Sequence, residues 1–202
     1  MSQIALPLEL RGQSDPDRIV IGNANLAVYE ALADPKSWPF RTAVLTGPPR
    51  SGKSLIGRWA SGQGVKVIDG ADTVDETELF HRWNAAQESG EPLLLISDRQ
   101  PWEISLPDLR SRLGGSLQLE ILTPDDKMVA QLIEIVAEQR GLSLSDGATQ
   151  YLVPRIERSF AGIENLVAAI DRLSLERKAP ATMSIWRDAL DQVQGPEQQR
   201  LL

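Results

Sequence analysis

The sequence predicts a mixed α/β fold, in which a parallel sheet covered by helices is followed by a small C-terminal α-helical lid. Three observations carry this. Short apolar runs alternate with helical segments as far as Leu122, the pattern of a parallel sheet whose crossovers are helices. After Thr123 the pattern becomes amphipathic helix alone. The chain also has 202 residues, 42% hydrophobic and 24% charged, a composition that suits one globular domain with a small satellite. The expected division is an N-terminal arm at 1–18, an α/β domain at 19–122 and a helical lid at 123–202.

The elements follow in order. Val28 and Leu32 lie four apart in a helix over Asn25–Ala33, which Pro35 ends. Thr42–Thr46 (TAVLT) is an apolar, β-branched strand. A Gly/Pro loop at Gly47–Gly52 leads into a helix over Lys53–Ala60. Val65–Asp69 is a second strand. Thr73–Ser89 is a helix with Leu79, Phe80 and Trp83 on one face and Gly90 at its C-cap. Pro92–Ser97 (PLLLIS) is apolar throughout and therefore buried on both faces. Ser116–Leu122 is a fourth strand. In the lid, Thr123 is expected as an N-cap and Pro124 as the first helical residue, with Met128, Leu132 and Val136 on the inner face up to Gly141. Helices are expected over Ser145–Ser159, Gly162–Lys178 and Ser184–Val193. The second of these carries the stripe Ile163, Leu166, Val167, Ile170 and Leu173.

Composition excludes several function classes. Twenty-one Lys and Arg against 28 Asp and Glu give a net charge of −7, a poor basis for non-specific DNA binding. No cysteine is present, so thiol catalysis and thiolate metal sites are excluded. The single histidine, His81, cannot build a zinc site alone, and it reads as a half-buried helix residue. No apolar run reaches membrane-spanning length and no signal peptide is evident, so a cytoplasmic location and no membrane partner are expected.

Gly47-Pro48-Pro49-Arg50-Ser51-Gly52-Lys53-Ser54 fits G-x-x-x-x-G-K-[ST] between a strand and a helix, the context in which that motif cradles phosphate. Glycines let the loop turn its N–H groups inward, and the helix start adds its positive dipole end. The motif assigns Lys53 to the β- and γ-phosphates and Ser54 to Mg²⁺. Val65-Lys66-Val67-Ile68-Asp69 has the strand-then-acid form whose aspartate holds Mg²⁺ through water. Gly70 follows where a second acid often stands, and Asp72 points elsewhere if the chain stays extended. Only one helix and one strand fit between Ser54 and Asp69.

These residues resemble the AAA+ module of the initiator DnaA and, more closely, the short Hda (HdaA) family of DnaA regulators. Ile19-Val20-Ile21-Gly22-Asn23-Ala24-Asn25 resembles the adenine-side linker. Ile96-Ser97-Asp98-Arg99-Gln100-Pro101 resembles the segment carrying sensor 1, here Asp98. Leu106–Leu113 resembles the box whose arginine finger is Arg112, and Gly162–Leu173 resembles the sensor-2 helix. Gln3-Ile4-Ala5-Leu6-Pro7-Leu8 is similar to the Hda peptide that binds the DNA polymerase III β sliding clamp, with Gln3, Leu6, Pro7 and Leu8 as its contacts.

The resemblance implies a P-loop AAA+ sheet, here lacking one strand of the usual five. It implies adenine nucleotide, ADP or ATP with Mg²⁺, held by Ile19, Val20, Ile21, Asn25 and Gly47–Ser54. It further implies DnaA and the sliding clamp as partners, with Arg112 acting in trans on DnaA-bound ATP to repress re-initiation. Two departures, Gly70 and a glutamate, Glu164, at the sensor-2 position, imply weak or absent intrinsic ATPase. Whether Arg155 or Arg158 replaces sensor 2, whether ADP or ATP is the active ligand, and whether the chain self-associates stay open. The alternatives are an autonomous ATPase remodelling a nucleic-acid complex, an origin-binding accessory factor, or a structural P-loop scaffold.

Overall fold

The computed structural model describes residues 19–198. The peptide Gln3–Leu8 therefore lies outside the described residues. Four parallel strands form one sheet in the order β2-β3-β1-β4, with β1 at Thr42–Thr46, β2 at Lys66–Ile68, β3 at Leu93–Ile96 and β4 at Leu117–Glu120. In register, Leu45 pairs with Ile96 and with Leu119, and Ile68 pairs with Leu95. Among the described residues the sheet has four strands, one short of the usual five, as expected from the brief stretch between Ser54 and Asp69.

The two central strands explain their own composition. All four residues of β3 are buried, because helices cover both faces and alternate side chains serve opposite layers. Ala43, Leu45, Leu94 and Ile96 pack with Tyr29 and Leu32 of α1 (Leu26–Leu32) and Ile56 and Ala60 of α2 (Lys53–Gly62). Val44, Leu93 and Leu95 pack with Leu79 and Trp83 of α3 (Glu76–Ser89) and Leu109 and Leu113 of α4 (Pro107–Gly114).

The C-terminal helices are α5 (Asp126–Gln139), α6 (Ala148–Leu152), α7 (Phe160–Arg177) and α8 (Met183–Gln198), the last broken at Gly195. The expected α7 stripe is buried in a core of its own with Val129, Ile133, Ile185 and Trp186. Met128 and Phe160 instead join the sheet-side core beside Ile19, Val20 and Ile21.

Several expected boundaries move for local reasons. The N-cap of α5 is Asp125, whose side chain accepts from the Met128 N–H at 2.8 Å. Thr123 stays outside the helix, where Asn23 bonds both its carbonyl and the Asp125 N–H. The buried α5 face is Met128, Val129, Ile133 and Ala137, with Leu132 and Val136 at its flank. The helix α3 begins three residues late, because Asp75 caps Thr77 and Glu78 while Thr73 closes a separate 3-10 turn on Gly70. The expected Ser145–Ser159 helix shrinks to α6 and a 3-10 turn at Val153–Arg155, between left-handed Gly147 and extended Ile156, with Pro154 inside the turn. His81 is exposed, not half-buried.

Candidate nucleotide-binding site

Residues 47–52 connect the C-terminal end of β1 to the first turn of α2. Gly47 has φ +154°, and a Cβ there would sit 2.9 Å from the Ile121 Cβ, so the segment leaving β4 packs directly on the loop. Arg50 and Gly52 are left-handed, with φ of 63° and 84°, which curls the loop. No side chain caps α2, and its first intrahelical bond runs from the Ile56 N–H to the Gly52 carbonyl at 3.0 Å. The preceding N–H groups are thus directed away from the helix, at its positive end.

Lys53 is 5% exposed. Its ammonium donates to the carbonyls of Gly47 and Pro48, both at 2.9 Å, and meets Asp98 Oδ1 at 3.0 Å. The structure therefore brings Lys53 and Asp98, two residues the sequence assigns to one site, together. Ser51 Oγ is buried and finds no hydrogen-bond partner among the described residues. An ammonium, an orphaned buried hydroxyl and the N–H groups of a helix start form a donor set that fits a polyphosphate. Ser54 lies exposed in the first turn of α2, and Asp69 lies exposed in the turn after β2. Among the described residues no cluster of three metal-ligating side chains exists.

One site residue escapes the sequence reading. Asp72 does not point away. Left-handed Gly70 and the 3-10 turn Ala71–Thr73 fold the chain back, so the Asp72 side chain is only 5% exposed. It accepts from the Asp98 N–H at 3.1 Å and lies 3.5 Å from Arg99 Nε. The glycine after the strand acid was the available signal, since it permits an immediate reversal. Ser97, fully buried, braces the same turn through its Oγ, which accepts from the Arg99 N–H at 3.0 Å.

In the segment Ile19–Asn25, expected on the adenine side, buried Asn25 organises the backbone. Its Nδ2 donates to the Val20 carbonyl at 2.8 Å and its Oδ1 accepts from the Gly22 N–H at 2.9 Å. Met128 packs where a Gly22 Cβ would stand. Arg112 lies on a different face, near the end of α4. Its guanidinium stands over the rings of Phe80 and Trp83, at 4.7 and 4.5 Å, and donates to Asn84 Oδ1 at 2.9 Å. Arg110 projects differently and bonds the carbonyls of Ile104 and Ser105.

Residues 125–190 match the family model described as the Hda lid domain. The chain is 32% identical over 179 residues to an uncharacterized protein of Haemophilus influenzae, covering 84% of this chain and 71% of that protein. It superposes on domain III of Thermotoga maritima DnaA with a TM-score of 0.72 and 16% identity, over 88% of this chain and 95% of that one. The chain belongs to the Hda family of DnaA-like AAA+ proteins. AMPPCP-bound DnaA from Aquifex aeolicus shares the fold at TM-score 0.57 and 22% identity, over 84% of this chain and 69% of that one. The Symbiobacterium thermophilum DnaA is 28% identical over 65% of this chain, which spans 29% of that initiator's length.

The Hda-type lid meets the phosphate loop through an ion pair. Arg50 Nη1 lies 2.6 Å from Oε1 of Glu164, the residue that the sequence resemblance sets against sensor 2. Neither candidate replacement arginine reaches the loop. Arg155 is stacked on Tyr151 and bonds its carbonyl, while Arg158 pairs with Asp126 at 2.7 Å. No helix among the described residues is long and apolar enough to cross a membrane.

Proposed function

We propose that this Hda-family protein binds adenine nucleotide at the phosphate loop and stimulates hydrolysis of DnaA-bound ATP in trans, restraining re-initiation of replication. The observation that carries the nucleotide reading is the convergence of Lys53, Asp98 and the orphaned Ser51 hydroxyl at the N-terminus of α2. Gly47–Ser54 would hold the phosphates, Ile19, Val20, Ile21 and Asn25 the base side, and Ser54 and Asp69 a Mg²⁺. Nucleotide with its metal would supply charge neutralisation and join the lid (123–202) to the α/β unit (19–122).

The trans reading rests on Arg112. Its five-donor fork matches phosphate oxygens, and an arginine finger contributes on the order of 10³–10⁵ in rate in GTPase systems. Asp69 stands without a second acid at Gly70. Asp72, the nearest candidate for that second acid, is already engaged by the Asp98 N–H and Arg99. This favours a trans activator over the autonomous ATPase. Gln3, Leu6, Pro7 and Leu8 would recruit the protein to the DNA polymerase III β clamp.

The test measures hydrolysis of ATP bound to the cognate DnaA, with and without this protein and clamp-loaded DNA. Stimulation that needs all three components is expected, and loss of clamp dependence alone is expected on deleting residues 1–8. A protein that turns over free ATP at ~1 s⁻¹ or faster and leaves DnaA–ATP untouched refutes the proposal.

A further inference from the structure

The environment of Arg112 carries more than its identity. One face of α3 bears Glu76, Phe80, Trp83 and Asn84, spaced at i, i+4, i+7 and i+8. That face holds both ends of α4. Glu76 accepts from the Ser105 and Leu106 N–H groups at 2.9 and 2.5 Å, where the chain enters α4. Phe80, Trp83 and Asn84 receive the Arg112 guanidinium near the other end. The Trp83 ring is backed in turn by Phe40, at 6.2 Å.

The three side chains that receive Arg112, namely Phe80, Trp83 and Asn84, are electrically neutral. Arg50, Arg82, Arg99, Arg158 and Arg177 each face a carboxylate. No carboxylate pairs with Arg112 among the described residues. A ring attracts the guanidinium charge without supplying an opposite charge. One of the five donors is bonded to Asn84. Arg112 is thus held in place while keeping its full charge and most of its fork for an outside anion.

We infer that Phe80, Trp83 and Asn84 are positioning residues for Arg112, a neutral seat that presents an uncompensated guanidinium to a phosphate on a partner. This rests on the trans reading above. Asn84 is the decisive member. An aspartate there would hold the guanidinium at least as well while cancelling its charge, so the seat works because that acceptor is an amide.

The experiment measures single-turnover hydrolysis of DnaA-bound ATP against concentration of wild type, R112A, N84D, F80L and F80Y, with the Tm of each variant. N84D should fold with a Tm no lower than wild type yet lose at least ten-fold in maximal stimulated rate. F80L should lose about five- to thirty-fold, the scale of a desolvated cation–π contact, with half-saturating concentration within two-fold of wild type. F80Y should recover the rate. If R112A is inactive while N84D and F80L match wild type, the seat is packing only and the inference falls alone. If wild type gives no stimulation, or R112A stimulates fully, the trans reading falls and the inference with it.

Discussion

Replacing Lys53 with alanine should abolish tight nucleotide binding. The side chain is 5% exposed and its three donors are matched by Gly47 O, Pro48 O and Asp98 Oδ1. Each charge-assisted hydrogen bond to a phosphate contributes about 1.5–3 kcal/mol, so two are worth about 3–6 kcal/mol gross. Part is offset, because the ammonium must leave two carbonyls at 2.9 Å to make them. A net loss of about 3 kcal/mol corresponds to roughly 10²-fold in Kd. Lys53→Ala also leaves two loop carbonyls with fewer donors, at about 1–3 kcal/mol each if water does not replace them. Titration calorimetry with MgADP and MgATP, beside thermal unfolding without ligand, separates the two effects. An unchanged Kd for both nucleotides in a folded variant would refute the phosphate-loop assignment.

Three further outcomes follow from particular contacts. Gly57→Val should lower stability by about 1–3 kcal/mol in urea titration, because a Cβ there would lie 2.7 Å from Ile96 Cδ1 and 3.2 Å from Val67 Cγ1; an unchanged midpoint contradicts that packing. Glu164→Gln should leave the Tm near wild type, since the Arg50 pair is 64% and 33% exposed, yet speed hydrogen exchange at the start of α7 by about two- to five-fold; equal exchange would mean that the pair tethers nothing. The Arg177 guanidinium at 2.6 Å holds the Asp188 carboxyl below its usual range. A depressed pKa stabilises the fold above the unfolded value of about 3.9. The Tm gap between wild type and Asp188→Asn should therefore persist from pH 7 to about 5 and close as pH falls through the folded pKa; a gap constant into acid contradicts this.

Much of the fold is legible because its signals are local. The apolar LLLI of β3, short and set between loop residues, reads as a strand covered on both faces, and the short path from Ser54 to Asp69 leaves no length for an extra strand there. The α7 stripe reads correctly because an 18-residue helix repeats its period several times. Shorter elements fail where capping competes. Asp125 caps the helix in place of Thr123, and Asn23, a hundred residues away, ties down the backbone on both sides of Pro124. The G-x-x-x-x-G-K-S loop is legible as a motif, whereas the return of Asp72 to the turn at Asp98 depends on a left-handed Gly70 and one 3-10 turn. The links Arg50–Glu164 and Arg112–Asn84 join residues far apart in sequence, and no local pattern announces either.

The central proposal is that this protein acts on a partner's nucleotide through Arg112. The most direct measurement is the rate of hydrolysis of DnaA-bound ATP with clamp-loaded DNA and either wild type or Arg112→Ala, each shown to bind ADP and clamp normally. The expected result is strong stimulation by wild type, none by Arg112→Ala, and near wild-type stimulation by Arg110→Ala, whose guanidinium only braces the carbonyls of Ile104 and Ser105. Full stimulation by Arg112→Ala would contradict the trans mechanism.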